Sequence, residues 1–303
     1  MKKFIFAAFI VLLAATSCSN ESELTAVENN AEQATAPVRV RVSNFSITTE
    51  EMPSGGGTTR AAVNPASYTK VGAIDLVFYD ADNNVAYSHT QLRSDGSTFT
   101  TFGEFTANLP VGHYTMVAVA RYYDAGDAFT LTSPTAAAYT SERPRETFTN
   151  VQSVTVTSAT PLDLDVTLNR ISSWLKIIST DGRPASATKI KTTFAKGGKS
   201  FDPSTGLATV DTGFWQTNTP NSAAGATIEV NVVPLLYTDE ESMTITIEVL
   251  DGGDNVIGTK VVNNVPFKRN RVTKLTGAVF TADASGAAFK LETDWLEDAI
   301  VNF

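Results

Sequence analysis

Cys18 is the only cysteine of the chain, and His89 and His113 are its only histidines. A single thiol excludes a disulfide framework and a cysteine-rich zinc site. The histidines stand on or beside predicted strands, with no HExxH spacing and no carboxylate at ligand spacing, so they read as surface or core-edge residues rather than metal ligands. Asp80-Ala81-Asp82-Asn83-Asn84 has the DxDxN spacing of a calcium loop, but glycine is missing from its sixth position and glutamate from its twelfth. It reads instead as a turn, because Asp and Asn tolerate left-handed backbone and bond their own neighbouring amides. Glu240-Glu241 and Glu297-Asp298 are acidic pairs, yet a glycosidase needs its two carboxyls about 5 to 9.5 Å apart in a cleft, which nothing in this pattern suggests. No GxSxG elbow occurs, and Gly55-Gly56-Gly57 does not fall between a strand and a helix as a phosphate loop does. These residues predict a protein that is not an enzyme, with no catalytic residue, no metal site and no cofactor.

The chemistry left to Cys18 is lipidation. Met1, Lys2 and Lys3 give a positive start, Phe4 to Ala15 an apolar run, and Thr16-Ser17 a small-residue pair directly before the thiol. The run is too short to span a bilayer, which takes about 20 apolar residues, and the acidic stretch Glu21 to Glu32 follows it. The arrangement resembles a bacterial lipobox, which implies a signal peptide over 1–17, cleavage between Ser17 and Cys18, and acylation of Cys18 in palmitate-type linkage. Each buried methylene contributes about 0.8 kcal/mol, so a multiply acylated cysteine holds a protein on a membrane.

Removal of residues 1–17 takes away Lys2 and Lys3 and leaves 21 basic against 32 acidic residues, a net of −11. That balance repels phosphate backbones, so nucleic acid is not an expected partner. Charged residues make up only 18% of the chain, the profile of an extracellular β-rich protein.

The elements follow from periodicity. Residues 18–37 hold almost no large apolar side chain and are expected to form a flexible tether. Val38, Val40 and Val42 alternate with Arg39, Arg41 and Ser43, a strand continuing to about Ile47. Pro53 to Arg60 reads as a flexible, breaker-rich link. Ile74, Leu76 and Phe78 share one strand face and Val85 to Leu92 forms its hairpin partner. Tyr114 to Ala120 is apolar on both faces, as a central strand covered on both sides is. Residues 124–146 are the expected place for a long loop or short helix. Beyond Leu168 the grammar repeats, with Ile228, Val230 and Val232, then Met243, Ile245, Ile247 and Val249 alternating, and Asp251-Gly252-Gly253-Asp254-Asn255 as a hairpin turn. Short strands at this spacing predict an all-β chain of two consecutive β-sandwich domains, 38–168 and 169–303.

Several segments resemble the fimbrillin superfamily, lipoprotein precursors of type V pili in Gram-negative anaerobes. They are the lipobox with its acidic follower, the early strand, Leu109 to Ala120 (LPVGHYTMVAVA), the junction Leu168 to Ile177 (LNRISSWLKI), and Val265 to Gly277 (VPFKRNRVTKLTG). The resemblance implies sandwich domains of transthyretin-like, Greek-key type and an outer-membrane lipoprotein exposed at the cell surface. It also implies a trypsin-like cut after an arginine behind the first strand, and a vacated groove that accepts a donor strand from the next subunit. On this sequence the arginine is Arg60 and the displaced strand carries Val38, Val40, Val42, Phe45 and Ile47. Arg39 and Arg41 lie inside that strand and are expected to resist cleavage, with Arg145 the main competing site. The implied partners are other pilus subunits, the outer membrane through its lipid, and a host or bacterial surface ligand in cell adhesion. Stalk, tip and anchor roles all stay open, because Phe289 to Phe303 reads equally as a donor extension or a last core strand. The rival is a glycan-binding surface lipoprotein of a nutrient-import system, for which Trp215 and Trp295 are the free aromatic candidates.

Overall fold

A computed structural model of the protein describes residues 34–50, 58–95, 101–124, 128–141, 143–281 and 289–295. The valine alternation opens β1 (Thr35–Glu50), and β2 (Thr58–Val63) runs back antiparallel along its second half. In chain order β3 (Ala73–Tyr79), β4 (Val85–Leu92), β5 (Glu104–Pro110), β6 (Gly112–Arg121), β7 (Phe129–Ser133), β8 (Ala136–Tyr139), β9 (Thr147–Val156) and β10 (Leu162–Arg170) complete the first half. The second half supplies β11 (Trp174–Ser179), β12 (Lys189–Phe194), β13 (Ser200–Asp202), β14 (Leu207–Ala208), β15 (Phe214–Asn218) and β16 (Glu229–Val232). It ends with β17 (Glu240–Leu250), β18 (Val256–Lys268), β19 (Arg271–Gly277) and β20 (Lys290–Trp295).

In the first half one large sheet runs β2-β1-β10-β9-β6-β3-β4, with β5 added on β1. Its strands β9 and β10 pair only at Asn169 with Thr149 and Arg170 with Phe148. Beyond those pairs they part, β9 following β6 and β10 following β1. The sheet is thereby folded on itself. Its two leaves enclose one apolar core that joins Val38 and Phe45 of β1 to Leu76 and Phe78 of β3 and Met116 of β6.

The second half is a sandwich of two separate sheets, β16-β11-β19-β20 and β15-β12-β17-β18. They close over Leu175, Ile177, Ile190, Phe194, Ile245 and Leu275. Both halves pair their opening strand in parallel with a late one, β1 with β10 and β11 with β19. Both also use the same turn. Asp80 Oδ1 accepts from the amides of Asp82 and Asn84, Asp251 Oδ1 from those of Gly253 and Asn255, and Asn83 and Asp254 share φ 63°. The all-β sandwich architecture is the one the periodicity predicts.

A third layer was not expected. Residues 124–146, predicted as a loop or short helix, instead hold the β7–β8 hairpin among their described part, and β8 pairs with β13 of the second half to form the sheet β14-β13-β8-β7. This sheet covers the outer face of β3 and β6, where Val77, Tyr79, Val117 and Val119 pack on Tyr139, Phe201 and Leu235. The alternation in Phe129-Thr130-Leu131-Thr132 is short, and its ladder is completed only by a strand some sixty residues away, which is why local periodicity does not disclose it. The two-faced burial of β6 follows directly from this cover.

Candidate strand-exchange site

The first strand is internal to its sheet. β1 runs parallel to β10 on one side, and on the other pairs antiparallel with β5 along its first half and with β2 along its second. Ala36, Val38, Val40, Val42, Phe45 and Ile47 point into the core, none more than 3% exposed. The alternation changes phase after Val42 because the ladder to β10 shifts register between Val42 and Asn44, a β-bulge. Ser43 there donates its hydroxyl to the Val166 carbonyl at 3.2 Å. Two consecutive polar residues, Ser43 and Asn44, are the sequence signal of that bulge. The strand starts at Thr35, three residues before the valine alternation, and so takes in the end of the segment expected to be tether.

The core side of β1 ends in an aromatic cluster. Phe45 lies 4.8 Å from Phe148 and 5.9 Å from Tyr68 between ring centroids. Tyr68 was not singled out from the sequence, since it is a lone aromatic in a polar loop. On the solvent side Arg39 meets Asp163 at 3.4 Å and Arg41 meets Glu104 at 3.1 Å, with all four side chains at least 38% exposed. Such pairs contribute about 0–1 kcal/mol and chiefly mark the outward face. The five core side chains Val38, Val40, Val42, Phe45 and Ile47 contribute about 1.5–3 kcal/mol each by burial and are the main hold on the strand.

Arg60 is not in a free link. It sits within β2, opposite Thr48 of β1, so the segment expected to be flexible ends in a paired strand. The reason is the hairpin geometry, in which residues beyond the connection return along β1 and complete its second edge. β2 itself ends the sheet, so its other edge has no ladder partner among the described residues. Arg39 and Arg41 lie in β1, as expected. The Arg145 side chain is only 11% exposed, which makes it a poor competing protease site. Ser17 and Cys18, the predicted cleavage and lipidation positions, lie outside the described residues, as do Glu297 and Asp298.

Within the stretch read as donor extension or core strand, residues 290–295 form β20, antiparallel to β19, and residues 296–303 lie outside the described residues. His89 is exposed on β4, and His113 Nδ1 lies 3.1 Å from Thr155 Oγ1. No group of three His, Cys, Asp or Glu side chains that could hold a metal ion occurs among the described residues.

Two of the segments that carried the resemblance, Leu168 to Ile177 and Val265 to Gly277, meet at the joint between the halves. Arg170, Ile171, Ser172 and Ser173 are all at most 5% exposed. Ser172 accepts from the Asn270 amide at 3.0 Å and Ser173 donates its hydroxyl to the Lys268 carbonyl at 2.8 Å. LNRISSWLKI and VPFKRNRVTKLTG thus supply the two sides of one buried, hydrogen-bonded joint, with Asn270 at φ 61° making the β18–β19 turn.

Solved structures of bacterial proteins share this fold. A candidate adhesin from Bacteroides ovatus superposes with a TM-score of 0.51 at 10% identity, covering 84% of this chain and 96% of that one. The fimbrial anchor protein Mfa2 from Porphyromonas gingivalis does so with a TM-score of 0.51 at 11% identity, covering 86% and 98%. At these identities the likeness is one of fold. By sequence the chain belongs to DUF6562, a family of unknown function, whose model matches residues 38–299. No curated protein matches it.

Proposed function

We propose that this protein is a structural and adhesive subunit of a cell-surface fimbrium, without enzymatic activity, assembled by strand exchange. The observation that supports the reading is the placement of β1. It is paired along both edges and buries six side chains in the core, yet its chain continues into the rest of the fold through the edge strand β2. In this scheme Cys18 carries the acyl anchor at the outer membrane, and a trypsin-like protease cuts after Arg60. The segment ahead of the cut then leaves, exposing the edges of β5 and β10 over an open apolar groove. An open edge over a core is an aggregation liability unless a designated strand fills it, which makes the next subunit's donor strand the natural occupant.

Limited digestion with trypsin, N-terminal sequencing and size-exclusion chromatography test the scheme together. The first cut is expected after Arg60, and the cut protein is expected to form ladders resistant to mild denaturant, or to bind a peptide copied from residues 286–303 of itself or a partner, while the uncut protein stays monomeric. A first cut elsewhere removes the maturation step. A cut protein that stays monomeric and binds no donor peptide turns the reading toward an anchor, a tip, or the glycan-binding rival, for which Trp215 at 42% exposure is the aromatic to test. Cys18→Ala is expected to leave the precursor uncleaved and free of acyl label, and label on that variant refutes the anchor.

A further inference from the structure

The outward face of the sheet β15-β12-β17-β18 carries two rows of side chains that the strand-exchange scheme does not use. The ladders set Trp215 of β15 opposite Thr193 of β12, Thr193 opposite Thr246 of β17, and Thr246 opposite Val261 of β18, so one row crosses the sheet from edge to edge. The second row, two residues along each strand, is Thr217, Lys191, Glu248 and Thr259 in the same strand order. Their neighbours in the chain, Thr192, Phe194, Gln216, Ile245 and Ile247, turn to the inner side of the sheet and are at most 2% exposed. The first row has apolar ends and hydroxyls between them. Trp215 is 42% exposed and Val261 57%, and three inter-strand steps, about 14 Å, separate them. Lys191 Nζ lies 5.8 Å from the Trp215 ring centroid and pairs with Glu248 Oε2 at 2.8 Å, so the indole stands beside an ion pair that neutralises itself. Neither row carries a net charge.

The exposed indole and the Val261 methyls match a ring surface made of C–H groups. Threonine hydroxyls both donate and accept, and so match the hydroxyls at the rim of such a ring. Carbohydrate is the polymer that combines apolar ring faces with hydroxyl edges. Charge then selects among its occupants. The chain has a formal net charge of −9, which repels an acidic glycan or a second copy of itself, whereas an uncharged glycan meets no such barrier. A row laid across four strands is a surface rather than a slot, and it suits a chain that presents its rings flat, as equatorially linked glycans do and helical ones do not.

We propose that this face binds an uncharged polysaccharide of equatorially linked rings, the chain running across the strands with one ring on Trp215 and its hydroxyls on Thr193 and Thr246. The proposal rests on the adhesive part of the function proposed above and not on strand exchange. The two are read separately, because ladder formation after the Arg60 cut reports exchange, whereas glycan binding by the uncut monomer reports this face.

Calorimetry and tryptophan fluorescence on the uncut mature chain test it with cellohexaose, xylohexaose and mannohexaose as flat uncharged chains, maltohexaose as a helical one and an oligogalacturonate as an acidic one. At least one flat chain is expected to bind at least tenfold more tightly than maltohexaose and the oligogalacturonate, and to shift the tryptophan emission. Trp215→Ala is expected to lower that affinity at least tenfold and to abolish the emission shift, with an unchanged far-ultraviolet spectrum. Thr193→Val combined with Thr246→Val is expected to lower it severalfold, because valine keeps the strand and removes only the hydroxyls. Absence of binding by all three flat chains, equal or tighter binding of maltohexaose or the oligogalacturonate, or full affinity in either folded variant overturns the proposal.

Discussion

Arg170 Nη2 lies 2.9 Å from Glu146 Oε1, with the two side chains 2% and 5% exposed. The same Nη2 donates to the Tyr68 hydroxyl at 2.9 Å, and Tyr68 donates in turn to Glu146 Oε1 at 2.8 Å. Burial, reinforced by the neighbouring carboxylate, pushes the Tyr68 phenol far above its usual range, so it remains a donor at any physiological pH. Arg170 Nη1 reaches Asn270 Oδ1 at 3.3 Å in the β18–β19 turn. One guanidinium therefore binds the end of β10 to the Tyr68 loop, to the start of β9 and to the second sandwich.

A buried pair of this kind costs most when broken one-sidedly. Arg170→Met is expected to destabilise the protein by about 3–5 kcal/mol, because Glu146 is left charged without its partner. Arg170→Met with Glu146→Leu is expected to recover most of that loss. Urea unfolding of both variants checks the cycle, and equal losses in the two mean that packing around Arg170, not the charge pair, sets the cost.

Phe45 is the largest side chain that β1 buries, and its ring meets that of Phe148 at a tilt of 32°. Phe45→Ala is expected to cost about 3–5 kcal/mol and to release β1 sooner. Timed trypsin digestion at fixed protein concentration should then show faster cutting after Arg60, since the bond lies in the strand that pairs with β1.

Asp181 holds the exit of β19. Its carboxylate accepts from the amides of Val279, Phe280 and Thr281 at 2.7 to 2.8 Å and from the Thr281 hydroxyl at 3.0 Å. Partial burial raises its pKa, but these hydrogen bonds outweigh it and hold the value below the usual one. The stabilisation is therefore complete at neutral pH and is lost as pH falls through the ordinary carboxylate value of about 3.9 toward the lowered one. Asp181→Asn should flatten the acid limb of a stability–pH curve, measured as the urea midpoint from pH 6 to pH 2.5, and an unchanged limb assigns acid sensitivity to other carboxylates.

Gly277 ends β19 where a Cβ would stand 2.8 Å from Phe289 Cδ1. Gly277→Val is expected to displace Phe289 and loosen β20, at about 1–3 kcal/mol. Hydrogen exchange over residues 290–295 should speed up relative to β19, and uniform exchange across both strands means the cost falls on β19 instead.

Local patterns in the sequence were enough for the strand content. Val38 to Val42, Tyr114 to Ala120 and Met243 to Val249 alternate because each strand has one or two faces in a core, and Asp80 and Asp251 head turns whose hydrogen bonds span four residues. The phase change at Ser43 was also written locally, though only the ladder to β10 identifies it as a bulge. Tertiary structure alone decided the rest. The folding of the large sheet depends on β9 and β10 parting, and the third layer depends on β8 meeting β13. Arg60 lies in a strand because β1 offers it an edge. Arg170 meets Tyr68 and Asn270 across separations of 102 and 100 residues, and Lys70 meets Trp174 across a joint that no local window contains. Periodicity records which face of an element is buried, whereas the identity of what buries it is set by chain segments brought together only when the cores form.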